Sequence, residues 1–113
     1  MKIVVLKFGG TSVGTIEKIK KVTDIIIEHK KKKNKVIVVS SAMSGVTNDL
    51  IKKSKQISNN FIDSEYDVLV SSGEQVACSL IAGRLNHKGF KSRSWIGWQI
   101  PIFTNCHYTN TRI

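Results

Sequence analysis

Near the start of the chain, Ile3-Val4-Val5-Leu6-Lys7-Phe8 runs almost unbroken in apolar side chains and stops at Gly9-Gly10. A short strand that is apolar on both faces belongs in a sheet covered on both faces. After the glycines, Thr15 is placed to cap a helix in which Ile16, Ile19, Val22, Ile26 and His29 recur at helical spacing. That helix runs out in lysines and Asn34, and Val36 to Val39 form a second buried strand closing on Ser40-Ser41. Strand, glycine turn, helix, strand is a βαβ unit, whose parallel strands need a right-handed crossover. The expected fold class is therefore α/β with a mainly parallel sheet.

The rest of the chain continues in the same style. A helix is expected from Val46 or Thr47 through Leu50, Ile51 and Ser54 to Ile57, broken by Ser58-Asn59-Asn60. A longer one is expected from Asp67 to Leu85, with Val76, Ala77, Leu80 and Leu85 as its apolar stripe. Gly89 closes it, glycine tolerating the left-handed backbone that often ends a helix. Lys91 to Trp95 reads as a third strand, and Ile100 to Thr104 as the beginning of an extended segment. Neither a repeat nor a low-complexity linker divides the 113 residues, so one unit is expected.

Composition narrows the function classes. Hydrophobic residues at 41% and charged residues at 23% suit a folded globular chain and argue against disorder. No apolar run approaches the roughly 20 residues of a membrane-spanning helix. The first apolar run stops at Gly9-Gly10 without a signal-peptide cleavage pattern, so a cytoplasmic location is expected. The net charge of +10 is concentrated in Lys30 to Lys33 with Lys35, and in Lys52, Lys53 and Lys55. Without interleaved arginines or aromatics, a solvated helix end explains these lysines better than a nucleic-acid site. Cys78 and Cys106 lack the spacing of a zinc site, and His29, His87 and His107 are scattered singly along the chain, so no metal site is expected.

Three segments can carry chemistry. Lys7-Phe8-Gly9-Gly10-Thr11-Ser12 stands at the carboxyl end of the first strand, where open α/β sheets bind ligands. Glycines there let backbone amides approach phosphate oxygens, and a lysine adds positive charge; a plain tight turn would account for the same residues. The string matches neither a Walker A loop nor a dinucleotide-binding loop. Ser40 to Asn48 offers hydroxyls and amides at the end of the second strand, although capping by Ser44 or Thr47 explains them equally. Ser71-Ser72-Gly73-Glu74-Gln75 sets a carboxylate early in a helix, where complementing the helix dipole is the plainer role.

Together these segments are specific. Lys-Phe-Gly-Gly-Thr-Ser-Val from Lys7, Ser-Ala-Met-Ser-Gly-Val-Thr-Asn from Ser41 and Ser-Gly-Glu-Gln-Val from Ser72 resemble signature segments of the aspartokinase family, in the same order and at matching separations. Ser94-Trp95-Ile96-Gly97-Trp98-Gln99-Ile100-Pro101-Ile102 is similar to a fourth segment, and Thr111-Arg112-Ile113 to a hairpin of that family. The resemblance covers the whole chain.

It implies the amino-terminal part of an amino-acid kinase (carbamate-kinase-like) domain, a three-layer α/β/α fold. The implied reaction is phosphorylation of the β-carboxylate of L-aspartate by ATP accompanied by Mg²⁺. By resemblance, Lys7 meets the transferring phosphoryl group, and Phe8, Gly9, Gly10, Thr11 and Ser12 lie near the ATP phosphates. Ser41, Thr47 and Asn48 match positions at the aspartate site, and Glu74 matches the acid that binds the substrate's ammonium. The family continues into a half that binds the nucleotide base and into ACT regulatory domains, which these 113 residues do not include. A sheet stopped midway is expected to leave an unpaired edge and an uncovered face. The missing kinase half or another copy of the chain is the expected protein partner, and neither nucleic acid nor membrane is expected. The alternative is a catalytically inactive remnant or a partner-dependent interaction fragment.

Overall fold

A computed structural model describes all residues from Met1 to Ile113. Strands β1 (Ile3–Phe8) and β2 (Lys35–Ser40) pair in parallel, Ile3 opposite Lys35 and Phe8 opposite Ser40. Helix α1 (Ile16–Lys31) makes the crossover, with Thr15 Oγ1 accepting from the Lys18 amide at 3.2 Å as its cap. Helices α2 (Val46–Ile57) and α3 (Asp63–His87) follow, then a single 3-10 turn at Gly97–Gln99. The expected βαβ unit is present with its helix cap in place.

The sheet is covered on one face. Leu6, Phe8, Val36 and Val38 pack against a core of Val13, Ile19, Val22, Ile26, Ile81 and Leu85, which joins α1 to α3. The alternate residues Ile3, Val5, Ile37 and Val39 face outward and are 47–61% exposed. Both strands are therefore apolar on both faces, as their composition requires, while the helices occupy only one side of the two-stranded sheet. A polar tie crosses the helix layer. Arg84 Nε donates to the fully buried Thr23 Oγ1 at 2.7 Å and Arg84 Nη2 to Asp24 Oδ1 at 3.3 Å.

Helix α3 departs from expectation at both ends and in its buried stripe. It begins at Asp63 instead of Asp67, with Asp63 and Glu65 in a first turn whose dipole they complement. Its buried face is Gly73, Ala77, Ile81 and Leu85, each four residues from the next, together with Ala82. Val76 and Leu80 fall outside that face and are 50% and 37% exposed. Within it Ser71, Ser72 and Ser79 donate their hydroxyls to carbonyls three residues back, so they do not break the helix. It ends in a Schellman motif: Phe90 N donates to Leu85 O, Gly89 N donates to Asn86 O, and Gly89 has φ +82°.

The third strand expected at Lys91–Trp95 does not form. The Asn86 side chain takes up the Ser92 backbone, donating to its carbonyl at 2.9 Å and accepting from its amide at 3.1 Å. That clamp holds the segment to the end of α3 instead of to a neighbouring strand. Ile100 to Thr104 likewise joins no sheet.

Candidate active site

The three segments separated in sequence meet around Ala42, which is buried at the end of β2. A Cβ added at Gly10 would lie 3.0 Å from the Ala42 carbonyl oxygen, and one added at Gly73 would lie 3.0 Å from Ala42 Cβ and 3.2 Å from Val46 Cγ1. Gly14 approaches Ser44 equally closely, with its added Cβ 3.1 Å from Ser44 Cβ. The Ser41 amide donates to Phe8 O at 3.1 Å, extending the strand pairing into the loops. Gly10 and Gly73 of these strings, and Gly14 just after the first, are thus required by packing between segments.

Gly9 differs from them. It is exposed, and nothing lies within 4 Å of where its Cβ would stand. The loop it opens is shaped from within, Ser12 N donating to Gly9 O at 3.0 Å and Lys18 Nζ donating to Thr11 O at 2.9 Å. Open space beside bare backbone is what close approach of a phosphate requires. Lys7 stands at the carboxyl end of β1 on the outward face of the sheet, opposite Val39, and Phe8 is half-buried beneath it on the core side. Thr11 and Ser12 are exposed.

At the start of α2, Gly45 occupies the capping position with φ +85° and no side chain closes the helix end. Neither Ser44 nor Thr47 is a cap, so the plain capping explanation of this segment fails. Val46 N donates to Met43 O and Asp49 N to Gly45 O, leaving the first-turn amides of Thr47 and Asn48 without an acceptor in the protein. Free amides at the positive end of a helix are suited to an anion. Ser41 and Thr47 are partly buried and Asn48 is exposed.

Glu74 lies about three turns inside α3, far from the first turn where a dipole role would place it. It is partly buried and belongs to none of the three ion pairs of the chain, Lys20–Glu17, Lys52–Asp49 and Arg84–Asp24. Lys7 is likewise unpaired. Glu74 lines a cavity of about 700 Å³ with Ser71, Gln75 and Cys78 on one side and Trp95 and Trp98 on the other. Burial pushes the Cys78 thiol above the usual cysteine range, and the nearby Glu74 charge adds to the shift.

Sequence reasoning placed Lys7 to Ser12, Ser41 to Asn48 and Glu74 on separate elements, and the structure brings their segments together. It missed the aromatic wall of the cavity, although the Ser94 to Ile102 string was in plain view. Cys78 also went unnoticed as a lining residue, yet it stands four residues from Glu74 and so on the same helix face. Three or more His, Cys, Asp or Glu side chains nowhere gather into a metal-binding group, and no helix is long and apolar enough to cross a membrane.

The profile of the amino acid kinase family matches residues 2–111. Over all 113 residues the chain is 49% identical to the aspartokinase of Geobacillus stearothermophilus and covers 28% of it. It is 44% identical over 116 residues to the aspartokinase of Rickettsia felis, covering 29%. Among solved structures, aspartate kinase from Synechocystis superposes with a TM-score of 0.73 at 42% identity, over 76% of this chain and 15% of that one. E. coli aspartokinase III in complex with aspartate and ADP gives a TM-score of 0.63 at 20% identity, a likeness of fold, over 79% of this chain and 30% of that one. The chain spans less than a third of the length of the relatives it matches.

Proposed function

We propose, from the premise that this chain belongs to the amino acid kinase family, that it supplies the phosphate-contacting and aspartate-contacting part of an aspartate kinase. The reaction is ATP plus L-aspartate to ADP plus 4-phospho-L-aspartate, an early step of amino-acid biosynthesis in the cytoplasm. In this reading the base-binding half and the ACT regulatory domains belong to the remainder of the relatives' length.

The observation that carries the proposal is the meeting of the three segments at Ala42, through Gly10 and Gly73. Strings that resemble one family's signatures only matter as a site if they are adjacent, and these are. Lys7 meets the transferring phosphoryl group, and the exposed backbone from Gly9 through Ser12 receives the ATP phosphates, with Phe8 supporting the loop from the core side. The free amides of Thr47 and Asn48, with the Ser41 hydroxyl, hold a substrate carboxylate. Glu74, unpaired within the protein, takes the substrate ammonium.

The chemistry asks little of a proton-transfer group. A β-carboxylate has a pKa of about 4 and is ionised at neutral pH, so it attacks without a general base. One carboxylate oxygen forms a bond to the γ-phosphorus while the bond from that phosphorus to the β,γ-bridging oxygen breaks, and no proton moves. The difficulty is bringing an anion to an anion. Lysine charge, backbone amides and a helix N-terminus offset that repulsion, so catalysis is positioning plus electrostatics. Mg²⁺ accompanying ATP would neutralise phosphate charge.

The test is a chimera in which these residues replace the matching stretch of the Geobacillus stearothermophilus aspartokinase. Trapping of aspartyl phosphate as its hydroxamate is expected, dependent on Lys7. A folded chimera that binds ATP yet makes no aspartyl phosphate would leave the chain as an inactive remnant.

A further inference from the structure

The cavity beside α3 is an electrostatic exception within this protein. The chain carries a formal charge of +10, yet Glu74 is the one lining residue charged at neutral pH, and neither lysine, arginine nor histidine contributes to the wall. Cys78 stands one turn along α3 from Glu74 in the same wall, and its thiol is held up first by burial and then by the Glu74 charge. Opposite α3 stand the two tryptophans of the protein, Trp95 and Trp98, 55% and 76% exposed.

A carboxylate and exposed indole faces around one cavity make a site for organic cations. The indole ring presents a negative face that attracts an ammonium group, most strongly where water is partly excluded. Trp95 already uses one face in this way, with the Arg93 guanidinium 4.3 Å from its ring centroid. Trp98 has no cation on it. Its backbone is set by a closed turn, in which Ile96 N donates to Gln99 Oε1 at 3.0 Å and Gln99 N to Ile96 O at 2.8 Å. The indole is therefore carried on a defined turn instead of a free loop.

We propose that Trp98, together with Glu74, forms an ammonium-binding end of this cavity and makes Trp98 a specificity-determining residue for amine-bearing ligands. For the substrate, this rests on the assignment of Glu74 to the ammonium of aspartate; for simple organic cations it stands on the cavity lining alone. Carboxylate or phosphate groups of a ligand are directed to the α2 amides and Lys7, because Glu74 is the one charged residue that lines the cavity.

The experiment is a titration of the full 113-residue chain with tetramethylammonium chloride at matched ionic strength. It is read by tryptophan emission and by ¹H–¹⁵N shifts of α3. A saturable response is expected, weakened about fivefold by Trp98→Leu and at least as much by Glu74→Gln, and retained in Trp95→Phe. Succinate, which lacks an ammonium, is expected to give none. Absence of a saturable response, or equal affinity in Trp98→Leu, overturns the proposal. L-Aspartate as competitor separates the two readings. If tetramethylammonium binds as expected and aspartate does not compete, the cation site stands and the substrate assignment falls. If aspartate binds through Glu74 but indifferently to Trp98→Leu, the substrate assignment stands and the role of Trp98 falls.

Discussion

Gly73 on α3 and Ala42 at the end of β2 approach so closely that a Cβ at position 73 would lie 3.0 Å from that of Ala42. A valine there must also displace Val46, whose Cγ1 is 3.2 Å from the same point. Gly73→Val is expected to destabilise the fold by about 1–3 kcal/mol, the usual cost of overpacking. Gly83, also within α3, is the control: nothing lies within 4 Å of its added Cβ. Gly83→Ala is expected to stabilise by about 0.5–1 kcal/mol through helix propensity and reduced freedom of the unfolded chain. Urea unfolding of the two variants checks both signs. Equal effects would remove the Gly73 contact as a constraint.

The role proposed for Lys7 separates phosphoryl transfer from substrate binding. In the chimera, Lys7→Ala is expected to lower turnover by about a hundredfold or more, in the range lost when a single charge-stabilising donor is removed. Aspartate affinity is expected to stay close to that of the unmodified chimera. Initial rates together with equilibrium binding distinguish the two, and near-normal turnover would remove Lys7 from the reacting phosphoryl group.

Glu74→Gln keeps the shape of the side chain and removes its charge. Loss of a charged partner in a partly buried site is worth about 2 kcal/mol, on the order of thirtyfold in affinity. The loss is expected for aspartate and not for ATP. Calorimetric titration of each substrate against the chimera measures the difference, and equal losses would make Glu74 a structural residue of α3.

The two cysteines are expected to react at different rates. Cys106 is exposed, whereas burial and the Glu74 charge hold the Cys78 thiol above its ordinary range. A raised pKa means less thiolate at a given pH, and the thiolate is the reactive form. Alkylation near pH 8 should therefore modify Cys106 first, with Cys78 following only as pH rises. Glu74→Gln removes a charge that opposes thiolate formation, so it should accelerate Cys78. Mass spectrometry of timed aliquots resolves the two sites. Faster labelling of Cys78 than of Cys106 would contradict the burial.

What could be read before the structure was mainly what a single element encodes. The apolar run at Ile3–Phe8, the Thr15 cap and the Gly89 terminus each carry their cause within a few residues, and each was legible. The partner of a strand is not written in the strand. Lys91–Trp95 has an acceptable strand composition, but the Asn86 amide, a side chain on the preceding helix, takes the Ser92 backbone. Glu74 was misplaced for a related reason. Its distance from the helix start depends on where α3 begins, and the Asp63 start carries no side-chain cap to announce it. The adjacency of the three site segments depends on glycines whose packing role appears only when the chain is folded.

Ala42 touches both other segments, so the proposed site has no existence apart from the tertiary fold. Separating α3 from the β2 loop would disperse the Glu74 side from the Gly10 side in one event. Any ligand spanning them would therefore bind the folded chain and not the unfolded one. By mass action such a ligand raises global stability, by about 2.7 kcal/mol at a hundred times its dissociation constant. Occupancy of this site would be visible as a shift in melting temperature even where no phosphoryl group is transferred.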